Sequence, residues 1–549
     1  MEFTIMKKQT TNLYDMKLKA LFSTSAILFV FLLMSGTAFA ADPIQISTFE
    51  QLMAIDNSIE NLSKDYILMN DIDVQNSTLF KPIGSNFDYT TMGEHKENPF
   101  TGTFNGNGYT ISNITILDNT MTGVGLFGST EGASISNLSL KNINLTGQHN
   151  VGGLVGMANT TSIMNCSVVN SDACLISGNG CVGGFVGVVG NSIVSDSYAT
   201  SAIIGYSSVG GFVGAINNST VFDSYATGNV EGVNSVGGFV GLIILSSVSE
   251  SYATGNIEGK NDVGGFVGGM WDSSSVSDSY AIGNAEGKEY VGGFVGSMQH
   301  SSSIFNSYAI GNAIIKATNE TKSAIGNAGD LAVIKPTDIC FGGFAGYMHN
   351  NSSISKSYAT GNAEGKESIG GFVGGMSESS MVSESYATGN ATGSNNVGGF
   401  VGNMSSSSIS YCYAIGNSKA DGNNIGGFAG YQKSSTIISC FSPTEAGHDN
   451  GLGIVKPATD LKKKATFTAI YPIIPANLVT FSKPWSISSS LDSNSTWYVD
   501  ENNDYPKLLW NSSSPPRMGL IEISILIIIG LLIFSVVTYI VFFKKKNVR

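Results

Sequence analysis

Val236-Gly-Gly-Phe-Val-Gly241 decides the reading of this chain because it comes back again and again. Close variants begin at Val151, Val182, Val209, Val263, Val291, Phe341, Ile369, Val397 and Ile425, after a degenerate first copy, Gly123-Val-Gly-Leu-Phe-Gly128. Successive starts lie 28, 31, 27, 27, 27, 28, 50, 28, 28 and 28 residues apart. A period this regular means that each unit is one supersecondary piece resting on its neighbours. Only the seventh gap is long enough to hold an insertion, which falls within residues 313–340.

A full unit reads Val263-Gly-Gly-Phe-Val-Gly268, a variable turn, Ser275-Val-Ser-Asp-Ser-Tyr-Ala-Ile-Gly-Asn284, then Ala285-Glu-Gly-Lys288. Its apolar runs are too short for helices and fit two or three short strands per unit. A propeller blade needs about 40 residues, so 27 or 28 is too few. The expected fold is all-β: a right-handed parallel β-helix, or β-solenoid, of eleven coils with capped ends, the hand being that of ordinary parallel crossovers. Columns of like residues agree with this. Tyr198, Tyr225, Tyr252, Tyr280, Tyr308, Tyr358, Tyr386 and Tyr413 share one position, ending in Phe441, and Asn229, Asn256, Asn284, Asn312, Asn362, Asn390 and Asn417 share another. Stacked about 4.8 Å apart, the tyrosines would pile up and the asparagine amides would bond along the column.

Around the repeats, residues 1–40 read as a signal peptide, with Lys17 and Lys19 ahead of an apolar run and Ala38-Phe39-Ala40 as a cleavage site. Residues 41–122 form an N-terminal cap and entry coils, with a helical turn expected near Phe49 to Ile55. The repeats occupy 123–441. Residues 442–510, which hold Trp485, Trp497 and Trp510, break the pattern and read as the C-terminal cap that a bare sheet edge needs. A spacer at 511–519 leads to an apolar stretch, 520–543, long enough to cross a membrane. The basic tail 544–549 places that end in the cytoplasm. The expected protein is a single-pass membrane protein with its ectodomain at the cell surface.

The repeated Gly-Gly-Phe-Val-Gly core followed by Ser-Tyr-Ala-Thr-Gly-Asn resembles the GLUG repeat of bacterial and archaeal surface proteins, over roughly residues 66–441. The resemblance implies a β-helical stalk or adhesin-like ectodomain and no catalytic residues.

Composition narrows the chemistry. The 28 basic and 41 acidic residues leave a net charge of −13, which argues against a nucleic-acid partner. Asp196, Asp223, Glu250 and Asp278 form an acidic column in four consecutive coils, with Glu384 later, where calcium is the cofactor that stacked carboxylates would take. Asn306 and Lys356 interrupt the column, and a solvated edge is the plainer expectation. A second column, Glu231, Glu258, Glu286 and Glu364, has Lys260, Lys288 and Lys366 close by, and the opposite charges should compensate each other. Cys412 and Cys440 hold the same repeat position on adjacent coils, so a disulfide is within reach, and two small buried thiols are the alternative. Sixteen Asn-x-Ser/Thr sequons include Asn61, Asn113, Asn137, Asn217, Asn319, Asn390 and Asn494, which mark candidate glycosylation sites on an exported chain.

The favoured function is a non-enzymatic, membrane-anchored surface protein that binds glycans or proteins of the envelope or of other cells. The alternative is a β-helical carbohydrate-active enzyme, a polysaccharide lyase or hydrolase. Such chemistry needs a singular convergence of carboxylates or a base with Arg partners. The acids here form repeated columns, and the two arginines, Arg517 and Arg549, lie at the C-terminal end.

Overall fold

A computed structural model describes residues 42–75, 80–84, 98–171, 173–316, 339–471, 482–491 and 494–512. The expected signal peptide, the membrane span 520–543, the tail 544–549, Asn319, most of the insertion and most of the spacer lie outside the described residues. Among the described residues, no helix is long and apolar enough to cross a membrane. The chain divides into a unit of residues 1–45 and a unit of residues 46–549. The second is a parallel β-solenoid of about eleven turns.

One coil shows how the repeat folds. It runs through strands Glu289–Gly292, Val295–Met298, Ser303–Phe305, Tyr308–Ala309 and Ala313–Ile315. The first and last belong to one sheet and the other three to a sheet each, so the coil has four sides. Five strand segments exceed the expected two or three. The two-residue pieces have too little apolar pattern to be seen in sequence and exist because the coils on either side hold them in register. Like pairs with like throughout: Val236 with Val263, Tyr225 with Tyr252, Ser247 with Ser275. The sheet that begins at the fifth residue of each motif has 11 strands, one for each copy.

The hexapeptide forms a corner between two strands. Val236 and Gly237 end one, Gly238 and Phe239 bend, and Val240 and Gly241 start the next. The glycines serve close approach. A Cβ on Gly237 would collide with the Val240 carbonyl oxygen, and one on Gly238 with that of Gly265 in the next coil. The bend drives Phe239 into the interior, where Phe185 to Phe428 stack coil upon coil with ring centres 4.6–5.0 Å apart. Val291, Phe294, Val295, Met298, Ile304, Ala309 and Ala313 complete the core of one coil, each side presenting alternate residues inward.

The other corners depend on left-handed backbone and buried hydroxyls. Asn165, Asp196, Asp223, Glu250, Asp278, Asn306, Lys356, Glu384, Tyr411 and Ser439 all have φ between 47° and 56°. The next residue in each coil is Cys166, Ser197, Ser224, Ser251, Ser279, Ser307, Ser357, Ser385, Cys412 or Cys440. These are buried. Each serine hydroxyl donates to the carbonyl two residues back, as Ser279 does to Ser277 at 2.6 Å. It also accepts a backbone N–H from the coil before, as Ser279 does from Ser251 at 3.2 Å. This hydroxyl ladder satisfies the backbone groups that the bend removes from the sheets.

Both ends are covered. At the N-terminal end a short helix, Phe49–Met53, is capped by Thr48 and Gln51 and buries Leu52. At the other end, Ile454–Lys456 pairs with Phe441–Pro443 as one more rung. The chain then turns back along the flank of the rod. Leu461, Phe467, Trp485, Trp497 and Leu508 pack with the tyrosine column rather than only over the last coil. Most of the expected cap is therefore a strap.

Candidate functional site

The acidic column is real as a column and structural in origin. Asp196, Asp223, Glu250 and Asp278 are exposed, and their places are the left-handed corner positions, which Asn and Asp tolerate best among non-glycine residues. That explains why Asn165 and Asn306 share the position. Burial, then the neighbouring charges, raises Asp223 and Glu250 above the usual carboxylate range. Asn306 Nδ2 donates to Asp278 Oδ1 at 3.2 Å, and Glu384 accepts from Thr496 of the strap at 3.0 Å. No group of three or more His, Cys, Asp or Glu able to hold a metal ion occurs among the described residues.

Cys412 and Cys440 do lie on adjacent coils, but both are free thiols, as are Cys166, Cys174, Cys181 and Cys340. Cys412, Cys440 and Cys166 are members of the hydroxyl ladder, and each S–H donates to the carbonyl two residues back at 3.2–3.3 Å, as the serines do. Burial pushes the Cys166 thiol up to about 12 and also raises Cys412, whose neighbour Cys440 adds to the effect.

The tyrosine column stacks as expected, with centres 4.7–5.1 Å apart and planes within 5°. The strap lies over its C-terminal half. Trp485 meets Phe441 at 5.7 Å, Trp497 meets Tyr386 and Tyr413 at 6.1 and 5.9 Å, and Trp510 meets Tyr358 and Tyr308 at 5.8 and 6.5 Å. Hydrogen bonds fix the register: Trp485 Nε1 to Ser439 O, Tyr413 OH to Pro506 O, and Trp510 Nε1 to Lys356 O, at 2.6–3.0 Å. Tyr198, Tyr225 and Tyr252 stay partly exposed.

The asparagine column bonds mainly through the backbone, and the expected amide-to-amide bond occurs from Asn312 Nδ2 to Asn284 Oδ1 at 3.1 Å. Each amide oxygen accepts the backbone N–H of the next asparagine, as Asn256 N gives to Asn229 Oδ1 at 2.9 Å and Asn362 N to Asn312 Oδ1 at 2.8 Å. Beside it the second acidic column borders a groove of about 480 Å³ lined by Asn256, Glu231, Glu258, Glu286, Ile204 and Ile314 among others. Lys316 pairs with Glu258 there. Among the described residues, Lys260, Lys288 and Lys366 make no ion pair with this column.

One cluster escapes the repeat altogether, and it stands where the insertion rejoins the rod at Cys340. Tyr290 and Tyr347 stack at 5.2 Å, and Tyr347 and His349 at 5.4 Å. His300 Nδ1 lies 3.0 Å from Asp272 Oδ1, and Tyr347 OH bonds Ser377 Oγ at 2.9 Å. Sequence reasoning missed this cluster, although its residues are those at which the columns change type. Among the sequons, Asn217, Asn390 and Asn494 are exposed. Asn61, Asn113 and Asn137 already use their amide nitrogens, to Ala54 O, Asp73 Oδ1 and Asn105 Oδ1.

The family model described as the GLUG motif matches residues 205–231, one repeat that runs from Gly205 through Val209-Gly-Gly-Phe-Val-Gly214 to Glu231. This chain carries the GLUG motif. Its repeats are similar to halomucin of Haloquadratum walsbyi, with 32% identity over 169 residues, a match covering 30% of this chain and 2% of halomucin. Two solved structures are also similar at 18% identity. One, from Bacteroides ovatus and provisionally named an immunoglobulin A1 protease, covers 53% of this chain and 82% of its own, with a TM-score of 0.37. The other, named IgA1 protease, covers 59% and 23%, with a TM-score of 0.29. Likeness at that distance carries no functional argument.

Proposed function

We propose that the GLUG solenoid is the ectodomain of a non-enzymatic, membrane-anchored cell-surface protein that acts as a stalk or adhesin. One observation carries this reading: the outward side chains repeat in register from coil to coil. A ligand that matches one coil therefore meets nearly the same contacts about 4.8 Å further along, and weak equal contacts add through avidity. The exposed Asn256 and Asn284, the partly exposed tyrosines and the groove beside Glu258 are surfaces of this kind. They suit polar, extended partners such as surface glycans. The likeness to halomucin supports a surface address, and residues 520–543 supply an anchor of sufficient length. The acids beside the groove, Glu231, Glu258 and Glu286, with Lys316 paired to Glu258, belong to a repeated column, whereas glycan cleavage needs a singular convergence.

The test is a glycan and cell-binding array probed with purified residues 41–516, as monomer and as a clustered form. Binding that strengthens many-fold on clustering supports the reading. Turnover of an acidic or neutral polysaccharide, abolished by changing one carboxylate pair, would overturn it in favour of an enzyme.

A further inference from the structure

The strap docks its tryptophans on the rod by a rule that the repeat itself supplies. Trp510 Nε1 donates to Lys356 O at 2.9 Å, and its ring lies 5.8 Å from that of Tyr358. Trp485 Nε1 donates to Ser439 O at 3.0 Å, and its ring lies 5.7 Å from that of Phe441. Lys356 and Ser439 hold the same left-handed corner, and the aromatic residue follows each by two places. An indole therefore takes two groups that recur from coil to coil: a corner carbonyl for its N–H and a stacked ring for its apolar body. Trp497 packs on Tyr386 and Tyr413 without the carbonyl bond.

The same two groups continue along the rod beyond the strap. Asp196, Asp223, Glu250 and Asp278 hold the corner, with Tyr198, Tyr225, Tyr252 and Tyr280 two places on. Among the described residues, no backbone N–H is donated to these four corner carbonyls. Tyr198, Tyr225 and Tyr252 are partly exposed. Ile282 and Ile310, each two places after a tyrosine of the column, are 39% and 45% exposed. What changes is the charge. Under the strap the corners are Asn306, Lys356, Glu384, Tyr411 and Ser439, and the single acid, Glu384, bonds Thr496 of the strap. Beyond it they are four exposed carboxylates, none in an ion pair among the described residues.

We propose that the stretch from Asp196 to Tyr280 docks a separate protein through an extended segment carrying tryptophan together with lysine or arginine. The surface continues the one that the strap already occupies, so tryptophan is the side chain it fits, and the row of carboxylates selects basic neighbours. The rest of this chain does not match, since residues 513–549 contain no tryptophan. The strap of a second copy does not match either, because its Trp485 and Trp497 are buried on its own rod. The segment runs along the rod, across the strands. Three extended residues span about 10 Å, or two coils, so tryptophan at every third place meets alternate tyrosines. This deepens the surface reading above, and rests on it, by naming one class of partner.

The experiment titrates the purified full chain into a labelled synthetic peptide with tryptophan at every third place and lysine between, followed by fluorescence anisotropy. Binding should saturate, weaken with added salt, and fall about tenfold when alanine replaces the tryptophans or glutamate the lysines. Two variants use residues that the chain itself tolerates. Tyr225→Ser takes the residue that Ser167 places in that column, and Glu250→Lys takes the residue of the Lys356 corner. Each should weaken binding about five- to tenfold, whereas Glu364→Gln, on the second acidic column, should not. If Tyr225→Ser does not fold, Glu250→Lys and the control peptides still decide. Absence of saturable binding, equal affinity for a control peptide, or unchanged affinity in both variants overturns the proposal. So does a dimer of the parent that Glu250→Lys abolishes, because a second copy then holds this face, and so does displacement of the peptide by a neutral oligosaccharide. A chain that fails here yet binds a glycan on the array loses this proposal and keeps the surface reading.

Discussion

Replacing Ser279 tests whether the hydroxyl ladder holds the corners together. Ser279 is 1% exposed; its Oγ donates to Ser277 O at 2.6 Å and accepts from Ser251 N at 3.2 Å. Ser279→Ala leaves the buried Ser251 N–H without its partner, whereas Ser277 O keeps the N–H of Glu250 at 3.2 Å. An orphaned buried donor costs about 1–3 kcal/mol, so a loss of about 2 kcal/mol is expected. Ser279→Cys should behave otherwise. The chain itself places cysteine in this ladder three times, and Cys412 repeats the bond to the carbonyl two residues back at 3.2 Å. The cysteine variant should therefore lose less than about 1 kcal/mol, since the thiol keeps a weaker form of the same bond. Urea unfolding followed by far-ultraviolet circular dichroism gives both numbers if the slopes agree. Equal losses for the two variants, or no loss for alanine, would refute the reasoning, because either result means that the corner does not need a side-chain donor.

Phe344→Ala removes a ring from the middle of the inner stack and should cost about 3–5 kcal/mol, measured in the same urea titration. All six cysteines should alkylate without prior reduction in denaturant, whereas Cys166, Cys412 and Cys440 should resist a thiol reagent in the native state; mass spectrometry counts both. Acid should stabilise the rod. Asp262 is raised from 3.8 to about 6 by folding, so the folded state binds more protons between those values, and stability falls as pH rises through that window. Asp223 and Glu250 shift in the same direction, so melting temperature should increase from pH 7 to pH 5, less steeply in Asp262→Asn. Trp510→Ala should loosen the strap, seen as faster proteolysis of residues 457–512 with the coils left intact.

The period made the rod legible, because a motif that recurs every 27 or 28 residues can bury its apolar side only against its own copies. The same columns hid their causes. Asp196, Lys356 and Tyr411 look unrelated in a sequence, yet one backbone corner collects them, and a positive φ leaves no signature when glycine does not mark it. The cysteines belong to the same corner, since Cys166, Cys412 and Cys440 each bond the carbonyl two residues back as the serines do. The strap was beyond reach, since nothing local to Trp497 or Trp510 says that they return to Tyr386 and Tyr308.

The strap also sets how the molecule would bear load. Its last described aromatic, Trp510, rests against Tyr308 and Tyr358, three to four coils before Phe441, or roughly 15–20 Å down the flank at the spacing of adjacent strands. The described chain therefore ends on the flank of the coils and not at their tip. A pull on that segment reaches Trp510 first, then Trp497, then Trp485, so the tryptophans open one after another like a zip.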